Sequence, residues 1–93
     1  INIRGGVNMI SSIQTVDDFK DNFNFAYKAL AFVDEIDTGK RARFQFISQI
    51  SKAKYRIFFQ SYYFPGYQDY SITIEATYSD GQWIISLVNK SVD

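Results

Sequence analysis

The chain has 93 residues, with 10 Lys or Arg against 10 Asp or Glu, and 46% of it is hydrophobic, including nine Phe and seven Tyr. That composition describes one domain, residues 1–93, with a single modest core dominated by large aromatic side chains. Cysteine and histidine are both absent, which excludes disulfides, thiolate nucleophiles, Cys/His zinc sites and imidazole-based catalysis.

Residues 1–14 read as an arm or a short strand, with a flexible joint at Gly5-Gly6. From residue 15 to 38 the pattern is helical. Phe19, Phe23, Ala26, Leu30 and Val33 recur at steps of three and four, and Phe25, Ala29, Phe32 and Ile36 form a second row beside them. One long helix over Val16–Ile36 is expected, with an apolar face wide enough to be gripped by a sheet. Thr15 suits its N-cap by accepting from the backbone N–H of Asp18, Asp17 and Asp18 suit the helix dipole, and Gly39 suits a left-handed C-cap.

Residues 40–91 change to period two. Ala42, Phe44, Phe46, Ser48 and Ile50 share one expected face, and Arg41, Arg43, Gln45, Ile47 and Gln49 the other. A turn at Ser51-Lys52 sets Ile50 opposite Ala53, Ser48 opposite Tyr55, Phe46 opposite Ile57, and Phe44 opposite Phe59. Pro65-Gly66 ends the second strand, and Tyr70 to Tyr78 alternates cleanly. Asp80-Gly81 is the strongest hairpin signal, and its register sets Tyr78 opposite Trp83, Ala76 opposite Ile85, and Ile74 opposite Leu87. The expected fold is therefore α+β: one helix wrapped by a four-stranded antiparallel meander, with a short strand before the helix.

Several short stretches resemble the cystatins. They are Gly5-Gly6 before the helix, the run from Phe32 to Asp37 (Phe-Val-Asp-Glu-Ile-Asp), Lys52-Ala53-Lys54, the run from Ser61 to Phe64 (Ser-Tyr-Tyr-Phe), and Trp83 after the last turn. The family's inhibitory Gln-Val-Val-Ala-Gly loop falls at residues 56–60, which here read Arg-Ile-Phe-Phe-Gln. The resemblance thus implies a cystatin-like fold and not protease inhibition. The closing stretch from Thr77 to Ile85 is also similar to the Asp-Gly-Lys-Trp-Lys-Ile ending of small NTF2-like domains, which implies a small-ligand or accessory role as an alternative.

No pair of carboxylates has the spacing of acid–base catalysis, no cofactor or metal motif is present, and a non-enzymatic role is expected. The acids Asp34, Glu35 and Asp37 read as solvated and partly neutralised by Lys40 and Arg41, and Glu75 as a lone outward acid. Tyr55, Tyr63, Tyr70 and Tyr78 are expected in the core and its rim. The unusual feature is the expected outer sheet face. There Arg41, Arg43, Lys54 and Arg56 lie beside Ile47, Phe58, Tyr62 and Phe64, with Ile84 and Val88 extending the apolar part. Such a face needs a cover, so Arg43, Arg56, Phe58, Tyr62, Phe64 and Ile84 are candidate contacts for another protein or a second copy. A second candidate surface is the end where Gly5, Gly6, Ser51, Lys52, Gly81 and Trp83 gather. Basic residues interleaved with aromatics leave single-stranded nucleic acid as a further alternative, against which neutral net charge and an acidic helix both count. No apolar run approaches the ~20 residues that a membrane-spanning helix needs.

Overall fold

Thr15 begins the helical part as its sequence requires. Its hydroxyl accepts from the backbone N–H of Asp18 at 3.1 Å, and the Asp18 carboxylate accepts from the backbone N–H of Thr15 at 3.2 Å. A computed structural model describes residues 8–61 and 65–92. In chain order these form β1 (Asn8–Met9), α1 (Val16–Asn22), α2 (Ala26–Ile36), β2 (Ala42–Ser51), β3 (Lys54–Ser61), β4 (Tyr70–Ser79) and β5 (Gln82–Val92). The strands make one antiparallel sheet in the order β1-β2-β3-β4-β5, and the helices cover one face of it. The fold is α+β. The short strand expected before the helix is β1, paired through Asn8 with Gln49 and Met9 with Ser48.

Hydrogen bonds from the backbone N–H groups of Gln14 and Thr15 hold the Asp18 carboxyl below the usual carboxylate range. Thr15→Ala removes one side of this reciprocal cap. It should lower stability by about 1 kcal/mol, read as a fall of roughly 4–8 °C in the melting temperature followed by circular dichroism.

The single long helix is corrected to two. Phe23 is extended, at φ −132° and ψ 122°, and α2 restarts after Phe25. On one continuous helix Phe23 and Phe25 would point about 200° apart, so only one of them would face the sheet. The break lets both turn inward. Their rings lie 5.2 Å apart, each within 5.5 Å of Tyr55, and Phe25 packs on Trp83 at 4.6 Å. Asn22 and Asn24 flank the break and are weak helix formers, so little propensity is lost there.

The helix also ends differently from the expectation. Gly39 does not carry a left-handed φ; Lys40 does, at φ 55°. The C-cap is Asp37, and Gly39 is small for another reason: a Cβ there would come within 3.0 Å of the Tyr70 hydroxyl.

The β2–β3 hairpin keeps Phe44 opposite Phe59 but departs from alternation beyond it. A register shift between Phe44 and Phe46 makes Gln45 an extra residue, a β-bulge. Because the side-chain period is two, one extra residue exchanges the faces of the residues after it. Ile47, expected outside, is fully buried opposite Ile57, while Phe46, expected inside, lies opposite Phe58. A second shift between Gln49 and Ser51 moves the turn to Lys52-Ala53, one residue on from Ser51-Lys52. The β4–β5 hairpin keeps the three expected pairs, Tyr78 with Trp83, Ala76 with Ile85 and Ile74 with Leu87, with Asp80 at φ 50° and Gly81 at φ 83°, and then shifts by one residue at Val88, so that Thr73 pairs with Asn89. The core gathers Phe19, Phe25, Ala26, Ala29 and Val33 from the helices against Ile47, Ile57, Phe59, Ile72, Ile74 and Ala76 from the sheet.

Candidate functional site

The outer face forms around a different set of side chains from that expected. Phe58 is half-buried and stacks on Phe46, their rings 4.4 Å apart and 26° from parallel. Arg56 is paired with Glu75 through Nε and Oε2 at 3.0 Å, and Lys54 comes within 3.9 Å of the same carboxylate. Glu75 is therefore not alone, and two of the cations expected on this face are partly neutralised. Arg43 sits away from this group, opposite Gln60, and donates to the carbonyls of Lys40 and Ala42 at 3.1 Å each. Ile47 has left the face for the core. Tyr62 and Phe64 lie outside the described residues, as do Gly5, Gly6 and Tyr63.

The two hairpin turns expected to share one end do so: the Tyr78 backbone N–H donates to the Ala53 carbonyl at 2.8 Å. Ser51, Lys52 and Gly81 are exposed there. Trp83, by contrast, is half-buried among Phe25, Tyr55 and Tyr78, and its carbonyl accepts from Lys28 Nζ at 2.8 Å. It closes the core.

The apolar surface concentrates on β5. Ile84, Leu87, Val88 and Val92 are 42–64% exposed, and β5 is a sheet edge whose second side has no strand beside it among the described residues. From Gln82 to Asn89 the strand carries no charge and no proline. Edge strands are ordinarily protected by charge, proline or brevity. Here the eleven-residue strand has one lysine, Lys90, and that side chain turns back to donate to the Ile36 carbonyl at 2.9 Å.

At the end of α2 lies an open cleft of about 670 Å³, lined among others by Asp37, Gly39, Arg41, Arg43, Tyr67, Tyr70, Lys90 and Val92. Asp37 is buried, only 3% exposed, and not solvated as expected. It accepts from the Tyr70 hydroxyl and from the Ala42 backbone N–H at 3.0 Å, which ties the helix end to the starts of β2 and β4. Burial alone raises its pKa, but these bonds, one from the Lys40 backbone and the charge of Lys90 outweigh it and hold the carboxyl below its usual value. Burial and the bond to Asp37 push the Tyr70 phenol upward. The Arg41 guanidinium lies 5.0 Å from the Tyr70 ring and 5.3 Å from the Tyr67 ring, and donates to the Gln68 carbonyl at 2.8 Å.

A carboxyl with a depressed folded pKa stabilises the fold above its unfolded pKa, and that contribution is lost as pH falls through the folded value. Wild-type stability should therefore decline on acidification below about pH 4, and Asp37→Asn should be less stable at pH 7 and show a shallower decline. Denaturant melts at pH 7 and across the acid range check both.

Arg41 and Arg43 stand out in the sequence through the acid-free basic run of residues 38–68. Lys90 and Val92 do not, because only the β4–β5 register, which sets Lys90 opposite Ile72 and Val92 opposite Tyr70, brings them to the helix end. Among the described residues no acidic cluster is arranged to hold a metal ion, and no helix is long and apolar enough to cross a membrane. No family model, curated protein or solved structure matches the chain.

Proposed function

We propose that this chain is a non-enzymatic protein-binding module of cystatin-like architecture, and that its first partner is a second copy of itself joined along β5. The observation that supports this is the uncharged edge from Gln82 to Asn89, which exposes Ile84, Leu87 and Val88 and has no strand on its second side among the described residues. An antiparallel pairing of one strand with its own copy satisfies a two-fold axis, and a strand without charge does not repel its copy across that axis. Continuing the sheet from one copy into the next also brings Ile84 of each onto one joint outer surface with Phe46 and Phe58 further in. Support for the single-stranded nucleic-acid reading is weaker, since Glu75 engages both Arg56 and Lys54.

Light scattering on the purified chain tests the proposal. The expected mass is twice 10.8 kDa; a monomer at concentrations of about 0.1 mM, where a specific interface should be filled, overturns it. The NTF2-like alternative of small-ligand binding draws its support from the cleft at the end of α2.

A further inference from the structure

The backbone of β5 has a definite phase. Tyr78 gives its N–H to the Ala53 carbonyl, so this residue of β4 is turned toward β3. Successive residues of a strand turn their backbone groups to opposite sides. Thr77 and Glu75 are therefore turned toward β5, where Ile84 and Ser86 stand opposite them. Trp83, Ile85 and Leu87 are turned the other way, to the side with no strand among the described residues. The Trp83 carbonyl agrees with this phase: it is left to Lys28, whose Nζ reaches it from α2 at 2.8 Å.

Lys28 thus closes one end of the open edge. Val88 closes the other, as the extra residue where the pairing with β4 passes from Leu87 opposite Ile74 to Asn89 opposite Thr73. A bulge bends its strand and interrupts regular pairing. Between these two stops, Ile85 and Leu87 keep a full set of outward backbone groups.

We infer that a second copy pairs with this window in one register, with Ser86 on the two-fold axis. The register rests on the β5 pairing proposed above, and it fixes which residues face each other. With Ser86 on the axis, Ile85 lies opposite Leu87 of the second copy and Ile84 opposite Val88 of the second copy. Ile85 and Leu87 exchange both backbone bonds, symmetry repeats the exchange, and neither calls on the Trp83 carbonyl. An axis at Ile84 or Ile85 would set Trp83 opposite Ile85 or Leu87, where Lys28 already occupies its carbonyl. An axis at Leu87 would set Ile85 opposite Asn89, which the bulge has turned toward β4. Of these registers, only the one at Ser86 sets each of the exposed Ile84, Leu87 and Val88 against an apolar residue.

The charges on α2 suit a second copy as the occupant. Lys28 and Glu35 lie two turns apart on one side of α2, and both line the groove beside β5. Lys28 reaches Trp83 near one end of the strand, and Ile36 accepts from Lys90 near the other, so α2 runs alongside β5. A two-fold axis reverses that order in the second copy. Each Lys28 end then meets a Glu35 end, and the charges flanking the paired strands are opposite in sign.

Ser86→Cys tests the register, because the chain has no cysteine of its own. Residues facing each other in a non-hydrogen-bonded pair lie about 4.5 Å apart at Cα, within reach of a disulfide. Ile84 and its own copy would be offset by four residues, about 14 Å, which a disulfide cannot span. At about 0.1 mM protein in oxidised glutathione, Ser86→Cys should form covalent dimer at least about tenfold faster than Ile84→Cys or Val88→Cys. All three positions are exposed, and circular dichroism reports whether each variant is folded. Light scattering on the wild type separates the two ways of failing. A monomer overturns the pairing and the register with it. A dimer in which Ser86→Cys links no faster than Ile84→Cys or Val88→Cys leaves the pairing standing and overturns the register.

Discussion

Phe25→Ala should destabilise the protein by about 3–5 kcal/mol and lower its melting temperature by more than about 10 °C. Phe25 is 2% exposed and touches rings from three directions: Phe19 and Phe23 from α1 and its end, Tyr55 from β3, and Trp83 from β5. Truncation leaves a void that these rigid rings cannot close, because each is itself held by others. It also removes what holds the chain in its break. With no aromatic at position 25, nothing offsets the helical hydrogen bonds forgone between α1 and α2. A domain of 93 residues has a total stability of roughly 5–14 kcal/mol, so the loss takes a large share of it. Phe46→Ala, on the half-exposed outer face, should cost distinctly less. Equal losses for the two substitutions in denaturant melts would contradict the assignment of Phe25 to the core and Phe46 to the surface.

Ile84→Lys combined with Val88→Lys should convert the β5-paired dimer into a folded monomer, raising the dissociation constant by at least about a hundredfold. Both side chains are exposed on the edge strand, Ile84 at 48% and Val88 at 42%, so neither change leaves a void in the core. Lysine on an edge is the natural device against edge-to-edge pairing: across a two-fold axis the charges added to one copy face those added to the other. The expected readout is a light-scattering mass near 10.8 kDa with unchanged circular dichroism. Phe58→Ser separates edge from face. If the mass falls on that change and not on the lysine pair, the copies meet face to face over Phe46 and Phe58, and strand pairing at β5 is refuted.

How far the sequence could be read depended on how locally each feature is specified. The Asp80-Gly81 turn requires positive φ at two adjacent residues and finds them tolerated there, so the β4–β5 register from the turn to Ile74 and Leu87 came from two positions, while the one-residue shift at Val88 beyond it did not. Thr15 and Asp18 are three residues apart and cap α1 with no help from elsewhere. The Gln45 bulge has no such signature. The stretch from Ala42 to Ile50 alternates well enough in either phase, and the choice rests on Ile47 meeting Ile57 in the core, a partner ten residues away. The candidate surface was blurred for the same cause: one extra residue moved Ile47 inward and Phe46 outward and so redrew the outer face.

From its own residue pattern the chain determined an α+β domain, two helical rows of apolar side chains, an antiparallel sheet and the absence of cysteine and histidine chemistry. Tertiary structure alone decided that the helix breaks at Phe23, that Asp37 is buried against Tyr70, and that Lys90 reaches the end of α2. Local patterns arise from backbone geometry and nearest neighbours, which a sequence displays. The break, the buried carboxylate and the cationic cleft each arise where distant segments compete for the same few contacts, and there the burial of aromatic rings and the pairing of charges outweigh local preference.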